Sequence, residues 1–475
     1  MERVTAPPIA ATGTRRLARF ALELRHDEIP AEVVRAAKLH LLDALGCGLA
    51  ASSLGVAVEG RALALADGGR AEASAIGADL LLPAAAAAFA NGMLCHGLDF
   101  DDTHADSVCH VSTVVVPAAL AAGEAAGASG KEILSAVVAG NEVVARLGMA
   151  ASGAFHARGF HPTAVCGVFG AAAAASRLGG LEHGDAVSAL GLAGSFASGL
   201  FAYLEDGTPT KPLHAGLAAQ GGVRAAHLAA LGAEGPPSIF EARFGLFRAF
   251  ADADPAALAG QLADLGVRWE TPRIAFKAYP ACHYVHGVLG AGARVLAEHA
   301  PDPDTIREVE VTVPPGPAVA LVLEPAGDKA APRTEYEAKF SLPYSIAALL
   351  VHGRIGVDSY VAGAIADERV LELAARVRYR VEDFDSAARA FPGGIRLTLD
   401  DGSALQARLD YQQGAPENPL SELAVVAKFR ANAGLALPPD RVDALVDAVL
   451  RLDELEHGTA ALAELRAARV AGATA

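Results

Sequence analysis

Apolar spacing changes twice along this chain, and those two changes constrain the fold more than any single motif. Up to about residue 270, alanine and leucine recur at the three-to-four-residue spacing of helices. PAEVVRAAKLHLLDALGCGLA places Val34, Ala37, Leu41 and Leu45 on one helical face, with Pro30 well placed at the start. GKEILSAVVAGNEVVARLGMA, GVFGAAAAASRLGG and GLAAQGGVRAAHLAALGA predict further helices, and their glycine and alanine content predicts close helix packing. Between about 271 and 414 the period drops to two. REVEVTVPPG, VRYRVEDFD, GIRLTLDDG and ALQARLDYQQG alternate as strands do, and LTLDDGSALQARL carries the Asp-Gly turn of a hairpin. PYSIAALLVHG and DERVLELAARV interrupt them as helices. After QQGAPENPLS the helical period returns, ending in DRVDALVDAVLRL. The predicted fold is therefore mainly α: a large all-helical domain formed by residues 1–270 and 415–475, with an inserted smaller α+β domain at 271–414.

Composition removes several functions. The 475 residues carry a formal charge of −16, which disfavours nucleic acid and anionic membrane surfaces as partners. Five cysteines, Cys47, Cys95, Cys109, Cys166 and Cys282, include no C-x-x-C pair and are odd in number. They predict a reduced, cytoplasmic protein without a disulfide framework. MERVTAPPIAATGTRR has no apolar signal core. The stretch Ala186–Leu204 is uncharged for 19 residues but rich in Gly, Ala and Ser, so it predicts a buried helix rather than a membrane span. GASGKE lacks the spacing of a phosphate-binding loop, and no G-x-G-x-x-G follows a strand. His26-Asp27 is an isolated pair.

Against this apolar background, CHGLDFDDTHADSVCH (Cys95–His110) packs three histidines and four aspartates into 16 residues. Four more segments concentrate polar chemistry. RGFHPTAVCGVFGAAAAA holds Arg158 and His161, and GTPTKPLHAGLAAQGG holds Lys211 and His214. FKAYPACHYVHG holds Lys277, Tyr279, Cys282, His283 and His286, and AKFSLPYSIAALL holds Lys339 and Tyr344. Several lie at predicted helix starts, where unpaired N–H groups favour anions. Lysine is scarce, seven against 32 arginines, so lysines retained beside histidines point to a task for a compact ammonium. Singly, each residue has a plainer role: His96 as a core histidine, Asp101, Asp102 and Asp106 as caps or loop charges, Lys339 as structural. Together, cations, histidines and carboxylates suit proton transfer on a polycarboxylate. The same His/Asp cluster leaves a metal site open as an alternative.

HDEIPAEVVRAAKLHLLDALGCGLAAS, HGLDFDDTH, FHPTAVCGVFGAAAAAS, TKPLHAGLAAQGG, KAYPACHYVHG and AKFSLPYSIAALL, in that order, resemble the MmgE/PrpD family from about residue 15 to NPLSELAVVAKFRANA. That family includes 2-methylcitrate dehydratase, cis-aconitate decarboxylase and iminodisuccinate epimerase. The resemblance implies a helical domain with a smaller α+β lid, a homodimer, and no metal or other cofactor. It implies catalytic roles for Asp99, His110, His161, Lys211, Lys277 and Tyr344, with one extra residue preceding His110 here. It implies a substrate contact from Thr103, and His104, Arg158, Cys282 and His283 in the same segments are candidate substrate contacts beside it. In these roles Asp99 tunes a histidine, Thr103 binds a carboxylate, the lysines stabilise charge, and His161 or Tyr344 protonates a leaving hydroxyl. Cys282 stands where the decarboxylases carry histidine, and His104 where they tend to carry an aromatic. The leading expectation is a 2-methylcitrate dehydratase-like hydro-lyase acting on a small di- or tricarboxylate. An epimerase or a cis-aconitate decarboxylase is the alternative, and a metal-dependent hydrolase or a non-catalytic carboxylate binder the more remote one.

Overall fold

The structure, a computed structural model, describes residues 12–386, 389–459 and 463–466; the predicted assignments at both chain ends beyond these lie outside the described residues. It is mainly α, with little strand. The helix Ala31–Leu54 starts directly after Pro30, but from Leu39 to Ser52 every residue is buried, His40 and Asp43 included. One apolar face was the expectation. That holds for the first turns, where Glu32 and Arg35 are exposed; from Leu39 on the helix packs against both Ala84–His96 and Glu422–Ala433, and a stretch covered all round has no polar face to display.

Small residues set the spacing of the neighbouring helices. Pro162–Leu178 and Lys211–Ala230 approach so closely at Gly222 that an added Cβ would lie 2.4 Å from the Ala171 Cβ. That approach holds His161 and Lys211, one at the start of each helix, in the same neighbourhood. The apolar stretch Ala186–Leu204 is not one helix. His183–Ala193 is helical, and the chain then breaks at Gly194 into irregular backbone. Among the described residues, the one unbroken helix long and apolar enough to cross a membrane is Gly130–Ala150. It lies inside the core, where the Glu142 carboxylate accepts N–H bonds from Glu270 (2.7 Å) and Thr271 (2.9 Å).

Buried apolar residues fall into two main clusters. One joins Leu17 through Ile274 with Val426 through Leu465; the other runs from Tyr279 to Leu397. The second surrounds a four-stranded sheet of order β4-β3-β5-β6, with β3 Ile306–Val313, β4 Val377–Val381, β5 Gly393–Leu399 and β6 Ala404–Leu409. β3 pairs parallel with β4 and antiparallel with β5; β5 and β6 form the hairpin, turning at Gly402 with φ +84°. Val309, Val311 and Val313 alternate into the core, as a half-covered sheet requires. A separate two-residue ladder, β1 Thr103–His104 with β2 Ile274–Ala275, ties the loop after Ala84–His96 to the strand leading into Lys277.

Candidate active site

The loop from Gly97 to Val111 has almost no regular structure, yet it is deeply buried, so its backbone carbonyls need donors. Three lysines supply them to consecutive residues. Lys339 Nζ donates to the Leu98 carbonyl (2.7 Å), Lys277 to Asp99 (2.8 Å) and Lys428 to Phe100 (2.7 Å). Thus three of the seven lysines, from distant parts of the chain, pin one loop. Lys339, read as structural from the sequence, is buried; desolvation pushes its pKa down to about 8. Asp99 itself takes φ +52°, a left-handed conformation that aspartate tolerates better than most residues.

Two aspartates, two residues apart, have opposite partners. Asp99 Oδ1 accepts from Lys211 (2.6 Å) and Lys277 (2.8 Å). Burial alone would raise its pKa, but the two ammonium groups outweigh burial and hold it well below the usual carboxylate range. Asp101 Oδ2 faces imidazoles, His96 Nδ1 at 2.8 Å and His110 Nδ1 at 3.1 Å. The carboxylate nearest His110 Nδ1 is therefore Asp101; Asp99 bonds the two lysines and acts on His110 and His283 through its charge. Asp102 holds His40 Nδ1 (2.7 Å) and caps the N–H of Ser112.

His110 Nδ1 lies 3.1 Å from Asp101 Oδ2 and 3.4 Å from Thr103 Oγ1; with the Nδ1–H assigned to that side, the ring presents the Nε2 lone pair, 3.4 Å from Lys211 Nζ. Burial, then Lys211, push His110 down to about 4, so it is neutral at pH 7. His161 is held well below the ordinary histidine range by burial and by the neighbouring His96 and Lys211; its Nδ1 meets His214 Nδ1 at 3.2 Å. His96, Asp101 and His110 are also the one group among the described residues whose ligand atoms lie close enough to hold a metal ion. His96 Nδ1 hydrogen-bonds Asp101 Oδ2, His110 Nδ1 lies 3.1 Å from the same oxygen, and the Lys211 ammonium beside His110 already supplies a positive charge.

These groups face a cavity of about 350 Å³ between the two buried clusters. Asp99, Thr103, His110, His161, Lys211, Lys277, Cys282 and His283 line it. Three residues given a site role from the sequence do not. His104 spends its ring nitrogens on Ser107 Oγ (3.0 Å) and Glu270 Oε2 (3.2 Å), fastening the β1 loop. Arg158 points to solvent. Tyr344, near the start of the helix Leu342–His352, is buried in the second cluster, where its hydroxyl donates to the Ser359 carbonyl (2.5 Å). Lysine and tyrosine of one short segment thus face different interiors. The sequence reading missed Asp101 as an orienting group and Arg389 and His156 as lining residues. Asp101 was legible only as one acid among four. Arg389 carries no local signal, because the sequence around it holds no helix or strand pattern. A larger groove, about 590 Å³, runs outside Ala31–Leu54, and there Lys38 pairs with Asp453 and Arg35 with Glu422.

A neutral imidazole beside a buried carboxylate and paired ammonium groups, all at one cavity, defines an enzyme of acid–base chemistry. Comparison with known proteins makes that class specific. The chain belongs to the MmgE/PrpD family: the profile of its N-terminal domain matches residues 15–259 and that of its C-terminal domain 279–454. The chain is 36% identical over 392 residues to human cis-aconitate decarboxylase, covering 80% of this chain and 78% of that protein. It is 34% identical to the mouse cis-aconitate decarboxylase with the same coverage. It is 27% identical over 476 residues to that of Aspergillus terreus, covering 96% of each. It is thus an enzyme of the lyase type. The C-terminal profile runs through helices that the buried clusters group with the N-terminal part.

Proposed function

We propose that this chain is a cofactor-independent lyase for a citrate- or cis-aconitate-type tricarboxylate, and that it works as a dehydratase-like hydro-lyase. The observation that carries this is the line Asp101–His110–Lys211, in which a neutral imidazole offers Nε2 toward the cavity. His110 Nε2 removes the proton next to a carboxylate. Lys211 and Lys277 stabilise the charge that develops on that carboxylate, and Asp101 stabilises the imidazolium formed. The same imidazolium then returns its proton to the departing hydroxyl, so water leaves and the histidine is neutral again. This replaces the acid roles read for Tyr344 and His161: the first is out of the cavity, the second is held neutral. In this reading Thr103 and His161 bind substrate, no metal takes part, and the working form is a homodimer.

Decarboxylation of cis-aconitate is a second reading, favoured by the names of the relatives. It requires protonation of a carbon as CO₂ leaves, and a His110 pushed down to about 4 is a poor starting acid. Cys282 in the cavity wall is a further departure from the decarboxylase pattern. Epimerisation would need a second proton donor on the opposite face of the substrate.

Proton NMR in D₂O with citrate, 2-methylcitrate, cis-aconitate, itaconate and iminodisuccinate tests the choice. Water loss with deuterium exchange next to a carboxylate is the expected result. Itaconate and CO₂ formed from cis-aconitate would select the second reading. No exchange or product with any member of the panel would remove the tricarboxylate reading.

A further inference from the structure

The lysine wall cannot by itself balance a tricarboxylate. Asp99 cancels one of the two ammonium charges of Lys211 and Lys277, and the cavity histidines with lowered pKa values are neutral. Counting only the groups that line the cavity on that side, one net positive charge remains for a substrate carrying three negative ones. The other permanent cation lining the cavity is Arg389. It forms no ion pair among the described residues, although more than half of the described arginines do.

Its position is defined from both sides. The guanidinium lies against the backbone of Gly153, where an added Cβ would sit 3.2 Å from Nη2 and where φ is +81°. Gly153 and His156 belong to the helical part; Arg389 belongs to the segment entering β5. Two residues on, Phe391 is fixed by its N–H bond to Gln412 Oε1 (3.1 Å) and stacks flat on His283, centroids 4.5 Å apart. His283 is 5% exposed, lines the same cavity, and neither ring nitrogen has a partner. A buried imidazole with both nitrogens unsatisfied is costly unless a ligand completes it.

Resting on the reading that the cavity takes a polycarboxylate, we propose that Arg389 and His283 form a second carboxylate subsite on the α+β side, opposite the lysine pair. Arg389 grips one carboxylate in the forked geometry of a guanidinium, and His283 donates to it. The subsite then selects substrates by a carboxylate far from the reacting C–H bond. Arg389 and His283 contribute binding, while His110 and the lysines carry the chemistry.

Calorimetry with tricarballylate, a saturated tricarboxylate with no leaving group, tests this alongside steady-state kinetics on the substrate found by NMR. Arg389→Ala should weaken tricarballylate binding and raise KM about 10- to 100-fold, with kcat changed less than threefold. Arg389→Lys should recover part of the loss. His283→Phe, which keeps the stack on Phe391, should cost about tenfold. Arg158→Ala, removing an exposed arginine elsewhere, controls for overall charge and should change affinity less than twofold. Should Arg389→Ala fail to fold, an Arg389→Lys affinity equal to wild type overturns the subsite, and a partial loss supports it. Tricarballylate affinity within threefold of wild type in Arg389→Ala overturns the subsite and leaves the reaction standing. No tricarballylate binding by the wild type, with no turnover of any panel member, overturns both.

Discussion

The two walls of the cavity are built on opposite plans. On the helical side nearly every ionisable group has a partner: Asp99 has two lysines, Asp101 two histidines, His161 its neighbour His214. On the α+β side His283 and Arg389 face the same space without one. A paired wall is preorganised and holds its protonation states without substrate; an unpaired wall carries unsatisfied groups that a ligand completes. The difference separates the groups that set proton affinity from those that recognise shape and charge.

The largest expected effects come from the paired wall. His110→Ala should cut kcat by ~10²–10⁴-fold and Lys211→Ala by about 10²–10³-fold, with circular dichroism unchanged. Asp101→Asn should fall in the same range, because His110 loses the group that fixes its tautomer. If these variants lose KM rather than kcat, the division of labour between the walls is wrong.

Acid should act next, and on the same wall. His110, pushed down to about 4, stays neutral in the folded protein while its unfolded counterpart binds a proton near 6.5. The unfolded state therefore binds more protons, and stability falls as pH falls from about 6.5 toward 4, by up to roughly 3 kcal/mol for one such histidine. Melting temperature followed from pH 7 to 4 checks this. The acid limb of kcat/KM should lie below the ordinary histidine value; a limb at 6.5 or above would show that His110 is not the base.

Smaller effects sharpen the boundary. Extensive chelation should leave activity within about twofold; loss of activity restored by one metal would convert the His96–Asp101–His110 group into a metal site. The smallest effect belongs to Tyr344→Phe. It removes one buried hydrogen bond, worth about 1 kcal/mol of stability, and should leave kcat and KM within about twofold. A hundredfold loss of kcat there would return the tyrosine to the cavity.

The hairpin at Gly402, the helix after Pro30 and the positions of His161 and Lys211 at helix starts were all legible in the sequence, because each depends on neighbours a few residues away. Residue types at the site were legible for the same reason, since unusual density of histidine, aspartate and lysine is visible locally. Partnership was not. Whether Asp99 or Asp101 orients His110 depends on which cations arrive from residues 211 and 277, and only the folded chain brings them. Lys339 and Tyr344 share a segment yet part company, and His104 turns to Glu270 rather than to the cavity. Arg389 reaches the rim from a loop whose sequence predicts nothing. By itself the sequence determined the mainly α texture, the family and the chemical inventory, which follow from local spacing and composition. The tertiary structure decided which charge meets which, because electrostatic pairing in a buried site is set by distances of a few ångströms between residues more than a hundred positions apart.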